Sequence, residues 1–522
     1  MNETHTAITV LFLLLLVASC VAMAAKWIRV PYTLMLVIVG LIISPMHFLP
    51  TVHISPDLIL LIFLPALLFE ASWNLKFNHL RANLWPILLL AVPGVCLAVG
   101  VIGVILHFGI GLPWPSAFLF GAMISATDPV SVLALFKKLN IPTRLTTIIE
   151  GESLFNDGTA AAIFRILLGI VVGMTATPAE KLFWNSLREF LLLISGGIAV
   201  GSAIGLIASK LTSFFDDHLL EITLTTIAAY GSILLAELLH VSPVIAVLVT
   251  GLIIGNYGRQ IGMSPTTEVA VNSFWEYATF VVNSLVFLLI GLEIQFSMLQ
   301  NVLVIFWAVL AMLASRMVAV YGLMSILNRF ETTIPFRWQH VLFWGGLRGS
   351  LSIALVLSLP TTLPGRSTLV IMIFGAVAFS LLGQGLSMSP FIRRLKLVPG
   401  EPRMRDLEML QAQMLAETDA LKEVDRLRSE GRISDPVQQV LRQQITENQE
   451  QIRGLLSQLD FQEPHIVQQQ LLHFQRHLLD VKKARLRELL REGLLSADSH
   501  HELITQLDKD WAKRFTERTA GN

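Results

Sequence analysis

The sequence predicts an all-α polytopic membrane protein of about thirteen transmembrane helices, with inverted repeats, two interrupted helices and a helical cytoplasmic tail. Three observations predict it. Of 522 residues, 54% are hydrophobic and only 15% charged, where a soluble chain carries about a quarter charged residues. The charge is segregated: residues 401–522 hold 18 of the 38 Lys+Arg and 21 of the 38 Asp+Glu. The first 400 residues break into apolar windows separated by short basic loops.

A spanning helix needs about 20 mostly apolar residues. Such windows lie near 7–25, 30–46, 56–72, 84–109, 114–137, 146–173, 187–209, 219–239, 243–257, 273–294, 301–327, 340–359 and 367–391. The first could be misread as a signal peptide, but no Lys or Arg precedes it, so the charged leader region is missing. With the N-terminus outside, the inside loops carry eleven basic residues, from Lys26, Arg29, Lys76 and Arg81 through Lys137, Lys138, Arg144, Lys210 and Arg259 to Arg329 and Arg337. The outside segments carry three: Lys181, Arg188 and Arg366. That bias fixes orientation by the positive-inside rule and, with an odd number of spans, puts the C-terminus in the cytoplasm.

The tail, 399–522, reads as helical. Leu407, Leu410, Met414, Leu415 and Leu421 fall at near-helical spacing, and Leu486, Leu489 and Leu490 sit among basic residues. Gly431 with Asp435-Pro436, and Glu463-Pro464, punctuate it. Cys20 and Cys96 are isolated in apolar runs, which argues against a disulfide framework or zinc site. There is no GxxxxGK[ST] loop. No cofactor, nucleic-acid partner or enzymatic chemistry is expected.

Charge within a membrane costs at least ~2.5–3.5 kcal/mol per group at a helix centre, so intramembrane ionisable residues mark function. They are Glu70, Asp128, Glu152, Asp157, Arg165, Arg316 and Arg348. The fifth window contains Ser125-Ala126-Thr127-Asp128-Pro129. Proline removes a backbone donor and disrupts the helix before it, so freed carbonyls such as that of Thr127 become available to a hard cation. In the sixth window, Gly151-Glu152-Ser153-Leu154-Phe155-Asn156-Asp157 places Ser153 and Asp157 on one helix face, with Glu152 and Asn156 beside them. Oxygen ligands of this kind suit an alkali cation. Withdrawal from water disfavours a charged carboxylate; such a group holds a proton near neutral pH and, once ionised, a cation. In the twelfth, Gly345-Gly346-Leu347-Arg348-Gly349 permits a second interruption. Paired broken helices at equivalent positions match inverted-repeat transporters.

These motifs resemble the NhaP-type sodium/proton exchangers, the monovalent cation:proton antiporter 1 family, over about residues 7–395. The tail lies outside the resemblance, although long helical tails are similar to those of cyanobacterial members. The resemblance implies that Asp157 carries proton and cation, with Asn156 beside it. Thr127, Ser153 and Glu70 would line the Na+ site, with Asp128 nearby through water. Glu152 would pair with Arg316, and Arg348 would support the interrupted crossing. It further implies electroneutral exchange of one cation for one proton, and elevator-like movement of a core bundle (about 84–173 and 301–391) against a homodimer scaffold (about 7–72 and 187–294), within a transmembrane domain of residues 1–398 in the cell membrane. The residues themselves leave Li+, K+ or Ca2+ open as the cation, and a cation channel or a membrane sensor as other classes. Arg165 matches no family motif; an approach to Asp157 would shift the working range toward acid.

Overall fold

The structure, a computed structural model, describes residues 3–25, 27, 31–44, 56–139, 141–173, 179–214, 217–294, 301–329, 334–397 and 402–458, and six isolated positions beyond. The chain divides into two compact units, Met1–Pro399 and Gly400–Asn522.

In the first unit the apolar windows are helical. The chain opens with α1 (Glu3–Ala25) and α2 (Tyr32–Ile43), then a π-helical turn, Leu58–Phe63, feeds α3 (Leu64–Asn74). A short α4 (Phe77–Ala82) leads to α5 (Leu84–Ala91) and α6 (Pro93–Ile110). The window at 84–109, expected as one helix, is thus broken at Val92, because Pro93 cannot donate to the preceding turn. Next come α7 (Trp114–Ser125), α8 (Val130–Leu139) and the long α9 (Thr143–Gly173). Then follow α10 (Ala179–Thr212), which starts well before the expected 187, α11 (His218–Leu238) and α12 (Pro243–Ile253). A π-turn at Ile254–Gly258 continues into α13 (Arg259–Gly262), followed by α14 (Pro265–Glu293). The last group comprises α15 (Val302–Met317), α16 (Leu323–Leu327), α17 (Phe336–Trp344), α18 (Ser350–Leu357), α19 (Arg366–Phe379) and α20 (Leu386–Arg394). Further π-turns, Val318–Gly322 and Ser380–Gly385, join α15 to α16 and α19 to α20.

Local chemistry sets several starts. Asp217 accepts from the N–H groups of Leu219 and Leu220 to cap α11, and Ser242 and Ser264 cap α12 and α14, each with proline at the first helical position. Among the described residues, nine helices are long and apolar enough to cross a membrane, and three shorter apolar ones span Thr9–Ala25, Tyr32–Ile43 and Leu58–Asn74. The window at 340–359 holds the two short helices α17 and α18. No strand occurs among the described residues. Residues 30, 45 and 46 of the second window, with Lys26 and Arg29, lie outside them.

Packing follows membrane logic. On α11, Thr225 and Ser232 are buried while Leu234 and Leu238 are exposed; on α10, Leu191, Leu192 and Ile207 are likewise exposed. Apolar faces out and hydroxyls in is the arrangement lipid favours. Aromatic bulk fills the interior: Phe69, Trp73, Phe120, Trp275, Phe287 and Phe374 are fully buried. The indole of Trp275 donates to Thr225 Oγ1 at 3.2 Å. Helices α2 and α14 cross at Gly40 and Gly291, where a Cβ on Gly40 would lie 2.5 Å from the carbonyl of Leu288 and 2.9 Å from Gly291 Cα. Gly40→Ala is therefore expected to cost ~1–3 kcal/mol through overpacking, read as a lowered melting temperature of the purified protein. The surface variant Gly454→Ala, where a Cβ would meet nothing within 4 Å, serves as its control.

In the second unit α21 (Pro402–Ser429) and α22 (Asp435–Gln458) pack together as a hairpin. Gly431, at φ +71°, makes the turn, and Arg428 meets Asp435 at 2.5 Å. Gln438 donates to Asp425 at 3.0 Å and Asn448 to Glu417 at 3.0 Å, which sets an antiparallel register. Leu410, Met414 and Leu421 are partly buried, but Leu415 is exposed, contrary to expectation. The side chain of Leu407, and Glu463-Pro464, Leu489 and Leu490, lie outside the described residues.

Candidate functional site

The two interruptions cross each other. Helix α7 ends at Ser125, and the chain runs extended through Ala126 (φ −57°, ψ 135°) before α8 resumes at Val130. Pro129 supplies no N–H, and the Asp128 carboxylate takes up the slack by accepting from Val130 N–H at 3.0 Å. On the other side α17 ends at Trp344, and α18 resumes at Ser350 after Gly345–Gly349. The unwound stretches are stitched together: Asp128 N–H donates to the Leu347 carbonyl at 2.8 Å. Glycine is required here. A Cβ on Gly346 would sit 2.8 Å from Arg316 Nε, and one on Gly349 would collide with the Asp128 side chain.

Each break frees carbonyls that cannot go unpaired in lipid. Arg348, buried, donates to the carbonyls of Ser125 at 2.6 Å and Ala126 at 3.2 Å, and its own N–H donates to Ser380 Oγ at 2.9 Å. Arg316, also buried, forms a bidentate pair with Glu152 at 2.7 and 3.0 Å. Its Nε and Nη2 also donate to the Leu342 carbonyl at 3.3 and 3.0 Å. Asn156 binds the first break from α9, donating to the Ser125 carbonyl at 2.9 Å, to Glu152 Oε1 at 3.2 Å and to Thr127 Oγ1 at 3.3 Å. Ser153 Oγ donates to the Thr127 carbonyl.

Asp157 accepts a hydrogen bond from the Thr127 backbone N–H at the first break. Its Oδ1 is buried and has no hydrogen-bond partner, and among the described residues it forms no ion pair. The charged groups acting on it are Asp128, Glu152 and Arg348, and Arg348 gives its Nη1 to the Ser125 and Ala126 carbonyls. It lines a cavity of about 480 Å³ together with Ser153, Thr127, Asp128 and Glu70. Glu70, on α3, is partly buried and accepts from Asn74 Nδ2 at 2.7 Å. Five of the expected residues thus share one cavity, whereas Asn156, Glu152, Arg316 and Arg348 do not line it and are bonded at or beside the two breaks. The exposed Lys137, in the last turn of α8, also lines it, so the cavity reaches the end of the protein that carries the basic loops. Arg165 is exposed and is not among the groups acting on Asp157.

Sequence reasoning passed over several lining residues. Glu150 lies on the cavity with Ser153 and Asp157; its spacing of three and seven residues from them was a readable signal. Ser352 of α18 is fully buried, lines the cavity and leaves Oγ without a partner. Tyr32 and Asn283 also line it. Ser380 gave no signal, being one serine in an apolar run.

Residues 12–394 match the family described as sodium/hydrogen exchanger, transmembrane. The chain is 44% identical over 411 residues to the Na(+)/H(+) antiporter ApNhaP of Aphanothece halophytica, covering 78% of this chain and 77% of that one. It is 37% identical over 507 residues to the Na(+)/H(+) antiporter NhaG of Bacillus atrophaeus, covering 95% of each. Likeness therefore extends into the tail, which the motifs alone had left outside. The fold is similar to that of the sodium proton antiporter MjNhaP1 from Methanocaldococcus jannaschii, with a TM-score of 0.63 at 22% identity, covering 76% of this chain and 100% of that one. An all-α multi-pass membrane architecture, two crossed interruptions and these matches lead to one assignment: the chain belongs to the sodium/hydrogen exchanger family, a family of transporters and not of enzymes.

Proposed function

We propose that this protein is a secondary active antiporter that exchanges Na+ for H+ electroneutrally, with the two ions competing for Asp157. The observation that carries the reading is the unpartnered Oδ1 of Asp157 in a cavity shared with the oxygen-bearing side chains of Ser153, Thr127, Glu70 and Asp128. Protonated, the carboxyl is neutral and tolerates its apolar surroundings; ionised, it needs a cation, and oxygen from Ser153, Thr127, Glu70 and, through water, Asp128 can complete the shell. Neutral Asn156 beside it adds no second titrating charge, in keeping with a stoichiometry of one to one. The opposing gradients supply the driving force.

The cavity reaches the basic-loop end, which by the positive-inside rule is cytoplasmic, in a cell membrane with the N-terminus outside. Alternating access then requires the bundle about 84–173 and 301–391 to move against a scaffold of about 7–72 and 187–294, which also forms the homodimer. The helical tail, 399–522, then lies on the cytoplasmic side.

The test is reconstitution into sealed liposomes with an imposed pH gradient, adding Na+, Li+, K+ and Ca2+ in turn. Dissipation by Na+, unaffected by an imposed membrane potential, is the expected result. Sodium flux without proton movement would make the protein a channel; a response to K+ or Ca2+ alone would reassign the cation. Ser153→Ala should raise the apparent KM for Na+ by about tenfold with little change in maximal rate, since a bond to a charged partner contributes ~1.5–3 kcal/mol.

A further inference from the structure

A second cavity, of about 640 Å³, lies at the end of α3, lined by Trp73 to His79 and by residues from Leu252 to Gln260. It shares no lining residue with the ion cavity. Its walls are built. Asn256, in the π-turn after α12, donates to the carbonyls of Leu75 and Leu252, both at 2.9 Å, and accepts from Phe77 N–H at 2.8 Å. The cavity is therefore a fixed feature and not a gap between loose loops. Its size is that of a small-molecule site.

Its lining is basic and aromatic. Lys76, His79 and Arg259 line it, and no Asp or Glu does. Arg259 is held in place from behind: its guanidinium lies 4.7 Å from the centre of the Trp73 ring, Nη2 donates to Asn272 at 2.9 Å, and Nε is 3.3 Å from Glu268. Glu268 offsets part of that charge, but Lys76 and His79 are exposed and make no ion pair among the described residues. The aromatic rings of Phe77 and Tyr257, 50% and 52% exposed, stand at the same cavity. Exposed aromatic rings beside basic groups at the end of spanning helices are the composition of the headgroup layer. Basic pockets between helices on the cytoplasmic side bind anionic headgroups.

We infer that this cavity is a binding site for a phosphate group, presented by an anionic phospholipid of the cytoplasmic leaflet or by a soluble phosphate ester. Lys76 and His79 donate to the phosphate oxygens, and Arg259 with its planar fork faces them from the opposite wall. Phe77 and Tyr257 flank the glycerol and first methylenes when the source is lipid. The site stands independently of the cation chemistry at Asp157.

The test uses the purified full-length chain and thermal-shift titrations with phosphatidylglycerol, phosphatidylcholine and glycerol phosphate. Three proteins are compared: wild type, the double variant Lys76→Ala/His79→Ala, and Arg81→Ala, an exposed basic residue nearby that does not line the cavity. Phosphatidylglycerol should stabilise wild type and Arg81→Ala alike, with the double variant's apparent affinity weaker by ~10-fold or more. Phosphatidylcholine should do nothing. Glycerol phosphate reproducing that pattern identifies a soluble ester as the source; failing where the lipid succeeds, it identifies the membrane. Equal stabilisation of all three proteins would reduce the effect to diffuse surface charge and overturn the site, as would no stabilisation by either phosphate source.

Discussion

Asp157→Asn is expected to abolish sodium-driven proton movement in proteoliposomes while leaving the protein folded. The substitution is nearly isosteric, and the carboxylate it replaces makes no ion pair among the described residues and leaves Oδ1 without a hydrogen bond. The asparagine carbonyl can still accept from the Thr127 N–H, so the melting temperature should hold or rise, since a buried charged group is replaced by one that carries no charge. What disappears is the α9 carboxylate that lines the cavity beside Ser153 and the break at Thr127. The amide can neither take up a proton nor neutralise a cation. The rate should fall at least ~100-fold, equivalent to ~2.7 kcal/mol. Coupled exchange persisting near the wild-type rate would remove Asp157 from the mechanism.

The second large effect is on stability. Arg316→Ala leaves the Glu152 carboxylate, 1% exposed, without its bidentate partner and strips the Leu342 carbonyl of two donors. Removing one member of a buried pair costs ~3–5 kcal/mol, a large part of a protein's typical margin. The expected result is a sharp loss of monodisperse protein in detergent. Combining Arg316→Met with Glu152→Leu should recover part of the loss, because no uncompensated charge then remains. A double variant as unstable as the sum of the two singles would mean that the pair is not what holds α9 to α15.

Much of this was readable from residue chemistry. Asp128-Pro129 and the glycines of 345–349 announced two broken helices, and helical periodicity put Ser153 and Asp157 on one face. Pro93 was equally readable and was passed over inside a long apolar window. The partners of Arg348 were not readable: the Ser125 and Ala126 carbonyls lie 223 and 222 residues away along the chain, and only tertiary packing brings them together. Backbone acceptors also leave no mark in sequence, since every residue has one. In the tail, Met414 and Leu415 are adjacent, and a period of 3.6 cannot turn both inward; the structure chose Met414.

The hydrogen bond from Asp128 N–H to the Leu347 carbonyl, backed by Arg348 gripping the end of α7 from the other strand of the crossing, has a thermodynamic corollary. The two unwound stretches form a single brace, tied backbone to backbone and by the Arg348 guanidinium. Displacing one stretch alone would forfeit both bonds, so in the exchange proposed above the groups carried on the crossing travel as one set, and net flow follows the opposing Na+ and H+ gradients together.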